Sequence, residues 1–230
     1  MRVVLTHIPR TGGTSIFAGL RRQEPRAKAR EFESLAEVAV MRDEELNSYN
    51  LISTYVGSKI FERLDDSWTK IIVFRDPIAR LRSSYLNLRN SPKNKSLAYC
   101  IAKSCTFSEY LACREASVIV QATNVQTWSV LGDKSIYFRC RNAELGNEQI
   151  LETALQRLPL YGFVGFTEQL DRLWSRLCSH FGWPVTPLPR LRVNPASPEP
   201  GEVSAEDLAF HTTLDCEFVR RAQAMVSSNA

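Results

Sequence analysis

The chain opens MRVVLTHIPRTGGTS, and residues 7–15, HIPRTGGTS, form the first group of side chains whose types and spacing suit a definite chemistry. The apolar run VVL breaks through two glycines into the helix-forming stretch TSIFAGLRR. A strand that turns into a helix in this way offers successive backbone N–H groups, and the positive end of the helix, to an anion. Gly12 and Gly13 let the main chain approach oxygen atoms closely and take positive φ. Thr11, Thr14 and Ser15 add hydroxyl donors, and Arg10 adds a planar fork suited to phosphate or sulfate oxygens. An anion site is expected here. It is neither of the two common phosphate loops. GxxxxGK[ST] would need a lysine where Thr14 stands, and GxGxxG is absent.

The elements around this loop read as an α/β protein. RVVLTHI has the pattern of a buried parallel strand, and KIIVF, residues 70–74, that of a second. The latter runs into RDP, with Pro77 suited to the first turn of the helix IARLRSSYLNLR. Between Gln23 and Asn50 charge dominates, with a weak helical pattern around Leu35, Val38 and Leu46. Residues 90–96 form a polar loop, followed by expected helices around 106–114 and 116–131, with Gly132 as C-cap. SIYFRC alternates like a strand, NEQILETALQRL is helical, and YGFVGF is a further strand. EQLDRLWSRLCSHFG is an amphipathic helix closed by Gly182, with Leu170, Leu173, Trp174, Leu177 and Phe181 on one face. Residues 184–200 hold six prolines and read as irregular and exposed. A last helix, from about Ser204, carries Leu214, Phe218, Ala222 and Met225 at helical spacing. Strands alternating with helices imply a central parallel β-sheet flanked by helices, with residues 1–230 as a single domain.

Composition narrows the partners. The 230 residues are 44% hydrophobic and 23% charged, and 29 Lys+Arg against 25 Asp+Glu give a net charge of +4. That is too mild for a duplex-binding face, so no nucleic-acid partner is expected, but it suits anionic small molecules held in one basic cleft. Six cysteines show neither CxxC nor a metal spacing, and read as reduced residues. The tightest pair, Cys100 and Cys105, is the one an oxidising compartment would allow to bridge. Met1 leads directly into the first strand, and no apolar run nears the ~20 residues of a membrane span. The expectation is a cytoplasmic protein.

HIPRTGGTS resembles the 5′-phosphosulfate loop of sulfotransferases that use 3′-phosphoadenosine 5′-phosphosulfate, PAPS, and most closely that of the carbohydrate (heparan-sulfate-type) members. That family also carries R-D-P-x-x-R-x-x-S-x-Y at the end of a later strand. This chain has RDPIARLRSSY at residues 75–85, after KIIVF. Ser83 falls about two helical turns into the helix, where it can face the same ligand as Arg75. NVQTWSVLG, FVGFTEQLDRL, RVNPA and LDCEFVRRA resemble further family segments, so the likeness runs over nearly the whole chain. It implies a P-loop-like sulfotransferase fold and transfer of the sulfuryl group of PAPS to a hydroxyl of a sugar or glycoconjugate. Adenosine 3′,5′-bisphosphate, PAP, would be the product, and no metal would be required. It further implies that Arg10, Thr11, Gly12, Gly13, Thr14 and Ser15 hold the 5′-phosphosulfate, and Arg75 and Ser83 the 3′-phosphate.

Three departures from the family pattern stand out. Arg10 replaces the lysine assigned to the leaving oxygen, Ser58 replaces a histidine, and Trp128 replaces an arginine whose charge would lie in the acceptor cleft. They leave open a donor-binding protein with impaired catalysis. A nucleotide kinase is the remoter alternative, because neither a Walker lysine nor an evident metal-holding strand aspartate is present. For the catalytic base, REFESL places Glu31 and Glu33 around Phe32, where some relatives carry a glutamate. Glu33 is the candidate base, with Glu31, His7 or no base at all as the alternatives. His180 and His211, on C-terminal helices, read as surface or half-buried.

Overall fold

A computed structural model of the protein describes residues 1–91, 96–132, 139, 142, 145–191 and 203–228. Five parallel strands make one sheet in the order β2-β3-β1-β4-β5: β1 (Val3–Thr6), β2 (Ala29–Phe32), β3 (Leu51–Thr54), β4 (Thr69–Phe74) and β5 (Phe163–Phe166). The chain passes from β1 to β2 and β3 on one side, then crosses to β4 and β5 on the other. The order thus reverses beside β1, and open parallel sheets gather ligands outside the carboxyl ends of the strands at such a point.

Strand alternation divides the core. Ile71 and Val73 of β4 pack with Leu20 of α1 (Gly13–Gln23) and with Trp174 and Leu177 of a later helix, Leu170–Phe181. Ile72 and Phe74 face the other way, among Val130, Leu155 and Phe218. Period-two side chains with helices on both faces are what a doubly covered parallel sheet requires.

Among the described residues the other α-helices are α2 (Leu35–Ala39), α3 (Asp43–Leu46), α4 (Pro77–Arg89), α5 (Leu97–Ser104), α6 (Phe107–Ala112), α7 (Ala116–Ala122), α8 (Val125–Leu131), α9 (Asn147–Arg157), α10 (Leu170–Phe181) and α11 (Ala205–Ser228). Pro77 is at the start of α4 as expected, and the Asp76 carboxylate caps that helix by accepting from the Ala79 N–H at 2.8 Å.

Several expectations need correction. AREF and LIST are strands: β2 is a charged edge strand, and β3 is too short to show its period. The helix expected over 116–131 is two helices, because Asn124 takes a left-handed backbone (φ +44°) between α7 and α8. Helix α5 had no counterpart in the sequence reading. Of the proline-rich segment, residues 184–191 are not simply exposed. Leu188 is buried, the Trp174 Nε1–H donates to the Thr186 carbonyl at 2.8 Å, and the Leu191 N–H donates to Ser15 Oγ at 3.1 Å. Met225 is exposed, whereas Leu214, Phe218 and Ala222 of α11 are buried. His211 is fully buried between Thr123 and the Leu111 carbonyl, because α11 packs into the fold along its length. SIYFRC and RVNPA lie outside the described residues, apart from Arg139. Among the described residues the five cysteines are free thiols, and no helix is long and apolar enough to cross a membrane.

Candidate functional site

Where the sheet order reverses, the loops after β1 and β4 open into a cleft of about 730 Å³. Arg10, Gly12, Gly13, Thr14 and Ser15 line one wall, Arg75 and α4 residues Arg82 and Ser83 a second. The third is formed by residues 167–172 after β5 and by residues 188–191. The two motifs, sixty-five positions apart from Arg10 to Arg75, therefore converge on one space.

The first loop is shaped by its glycines. Gly12 is the N-cap of α1 with φ +92°, a conformation that a side chain would strain. A Cβ on Gly13 would fall 2.5 Å from His7 Cδ2, so only glycine lets the loop lie against that ring. Arg10 also has positive φ (+73°), which costs a non-glycine residue ~1 kcal/mol or more. Hydrogen bonds hold it there. The Arg75 guanidinium donates to the Arg10 carbonyl (Nη1 to O, 3.1 Å), while Arg10 donates from Nε to Ser83 Oγ at 3.0 Å and from Nη1 to Asn87 Oδ1 at 3.1 Å.

A second set of contacts staples the loop to the neighbouring strands. The Thr167 hydroxyl lies 2.7 Å from the Thr11 carbonyl and 3.0 Å from that of Phe74. The Asp76 N–H donates to the Glu168 carboxylate at 3.1 Å. On the other side, His7 Nδ1 is 3.2 Å from Ser53 Oγ of β3, and its ring stacks on Tyr55.

Most of the expected site residues meet in this cleft. Thr11 does not: it is fully buried and donates its hydroxyl to the Ile8 carbonyl at 3.0 Å, so it pins the turn. Glu33 and Glu31 do not reach the cleft either. Both are exposed at the end of β2, and β3 separates that edge strand from β1, a gap of roughly 10 Å across two strand spacings. Phe32 between them is buried, so alternation turns its neighbours outward. His7 is in the wall. Ser58 is buried away from the cleft, donating to the Val130 carbonyl and accepting from Arg157. Trp128, only 7% exposed, belongs to the core cluster that holds Ile8 and Phe74 and does not line the cleft.

Other cleft residues carried no separate signal: Arg82, Arg172 and Arg190, with the carboxylates Glu168 and Asp171. Glu168 stands inside the segment FVGFTEQLDRL; Arg190 comes from the proline-rich stretch and could not have been found. Behind the cleft, Arg80 of α4 is fully buried, and burial pulls its guanidinium below the ordinary range. Burial likewise pushes the Asp215 carboxyl up, and each charge opposes that shift in the other. Among the described residues no three His, Cys, Asp or Glu side chains gather as a metal site. Comparison with protein-family models and with curated proteins found no match to the chain.

Proposed function

We propose that the cleft binds PAPS and that the protein transfers its sulfuryl group to a hydroxyl, most consistently that of a carbohydrate or glycoconjugate. The observation that carries this reading is the meeting of the two motifs: Arg10 bonded to Ser83, and Arg75 bonded to the Arg10 carbonyl, at one end of one sheet. The residues fit such a donor. The left-handed Gly12 and the close-packed Gly13 leave room for oxygens at the start of α1, where N–H groups and the helix dipole favour negative charge. Arg75 and Ser83 would hold the 3′-phosphate, and Gly12, Gly13, Thr14 and Ser15 the 5′-phosphosulfate. In this reading the sheet order and the cleft at its reversal belong to a P-loop-like sulfotransferase fold.

PAPS supplies an activated sulfuryl group. In transfer, the acceptor oxygen bonds to sulfur as the bond from sulfur to the phosphate oxygen breaks. Negative charge grows on that phosphate, and Arg10 neutralises it. The acceptor's proton must leave, and His7, Glu168 and Asp171 are the cleft groups able to take one.

A second reading, a PAP-binding protein with little turnover, is favoured by one feature: the Arg10 fork is engaged by Ser83 and Asn87 on α4. Titration with PAP against ATP and Mg²⁺ tests donor binding, with preference for PAP expected and preference for ATP overturning the proposal. Turnover of labelled PAPS over a panel of hydroxyl acceptors separates the two readings.

A further inference from the structure

One polar side chain lies behind the cleft and lines none of its walls. Gln126, in α8, is 0% exposed. Its amide faces the main chain of Arg75, one residue past the end of β4. The Arg75 N–H donates to Gln126 Oε1 at 2.8 Å, and Gln126 Nε2 donates to the Arg75 carbonyl at 2.9 Å. A side-chain amide thus pairs with Arg75 as the backbone of another strand would. An apolar residue of the same size would leave that N–H and C=O to find other partners in a buried setting, which is costly.

Gln126 is itself fixed from behind. Asp215 of α11, 1% exposed, accepts from the Gln126 N–H at 3.1 Å, the Thr127 N–H at 2.8 Å and the Thr127 hydroxyl at 2.8 Å. The left-handed Asn124 makes no side-chain cap to α8, so the cap comes from a different helix. The contact is reciprocal: the Asp215 N–H donates to Asn124 Oδ1 at 3.2 Å, and the Asn124 N–H donates to the His211 carbonyl at 2.8 Å. Arg80 supplies the opposing charge and donates to the Ala122 carbonyl at 3.0 Å.

We infer that Gln126 is a positioning residue for Arg75, and that Asp215 sets Gln126, so that the C-terminal helix fixes where the Arg75 guanidinium enters the cleft. The inference rests on the reading of Arg75 as a 3′-phosphate ligand. It adds that the preference for a 3′-phosphate is built in the core, at residues that touch no ligand.

The test compares PAP with adenosine 5′-monophosphate, which lacks the 3′-phosphate, by calorimetry on the full chain. Wild type should bind PAP more tightly; equal binding would overturn the functional reading itself, not this inference alone. Gln126→Met should lose ~10-fold in PAP affinity while adenosine 5′-monophosphate changes less than about twofold. Asp215→Asn, which keeps the shape and one acceptor, should move the ratio the same way by about threefold. Val38→Ala, a core truncation under β2, is the control for loss of stability alone and should leave the ratio unchanged. If Gln126→Met does not accumulate folded, Gln126→Glu carries the same test, since it keeps an acceptor for the Arg75 N–H. A wild-type preference that survives in the folded Gln126 variant, or equal losses for both nucleotides, overturns the inference.

Discussion

The carboxyl edge of the sheet has two halves of opposite character. Over β1 and β4 the loops are short, tied together by side chains from α4 and the segment after β5, and rich in arginine. Over β2, the edge carries Glu31 and Glu33 in the open, with Glu37 accepting from the Glu33 and Ser34 N–H groups as the cap of α2. The cationic half is braced by buried polar groups; the acidic half is braced by a surface capping box. A ligand that must be held against several fixed donors belongs to the first half. A fixed dipole costs no reorganisation when charge develops, whereas solvated carboxylates are screened and mobile.

The strongest way to break that contrast is to remove the cation that joins loop and helix. Arg10→Ala should slow sulfuryl transfer ~100-fold or more, as loss of a preorganised donor does, while PAP affinity falls much less. Turnover of labelled PAPS beside calorimetry gives both numbers. Equal losses in the two would mean that Arg10 binds the ground state only. Arg10→Lys sharpens the point: one ammonium cannot repeat the fork that reaches Ser83 and Asn87 together. Asn87→Ala should therefore affect wild type and be silent in the Arg10→Lys background.

Next in size is Arg75→Ala. Loss of a charge-assisted hydrogen bond is worth ~1.5–3 kcal/mol, so PAP affinity should fall at least ~10-fold. Adenosine 5′-monophosphate, whose phosphate under the proposed function would sit at the other loop, should bind about as before. Unchanged PAP affinity in the folded variant removes Arg75 from the site.

How much of this was legible follows from the range of the interactions. The sheet's central strands and the loop after β1 showed in sequence because an apolar run, two glycines and a helix start are local features. That the Arg10 loop and the Ser83 helix serve one ligand is expected only through motif resemblance, and the hydrogen bond between Arg10 and Ser83 has no sequence signal, since no local rule joins positions seventy-three apart. β2 and β3 carry no local strand signal: AREF takes its strand form from pairing with Leu51–Thr54, against its own charge. Asn124 broke an expected helix because Asp215 and His211, far along the chain, stabilise the left-handed turn. Arg190 reaches the cleft from a segment read only as irregular. Trp128 and Ser58 stand out in sequence as departures from the family pattern, but tertiary packing buries both.

The seam between the two halves is His7, bonded to Ser53 on one side and pressed against Gly13 on the other. Gly13→Ala would set a methyl 2.5 Å from its ring, which Tyr55 and Ser53 keep from moving away. Overpacking of this kind costs ~1–3 kcal/mol. At roughly 2–4 °C per kcal/mol for a chain of this size, thermal unfolding should report it clearly. Gly146→Ala, with nothing within 4 Å of its added Cβ, should stay within about 0.5 kcal/mol of wild type. Two equal melting points would show that the His7 wall yields.

The smallest expected effect is the most direct test of the contrast. Were Glu33 the base for the acceptor proton, Glu33→Gln would keep the side-chain shape, remove the basicity and cut turnover ~100-fold. The structure places Glu33 just past the edge strand β2, exposed and outside the cleft walls, with β3 between it and the Arg10 loop. Proton transfer needs heavy atoms ~3 Å apart or one intervening water, and two strand spacings exceed that reach. Turnover in Glu33→Gln, and equally in Glu31→Gln, should therefore stay within about twofold of wild type, with PAP affinity unchanged. The same assay on His7→Gln should show a real loss, because that ring is in the cleft wall and against Gly13. A large loss in Glu33→Gln with donor binding intact would mean that the acidic half folds over the cleft during turnover, and the division between the halves would not hold in the working protein.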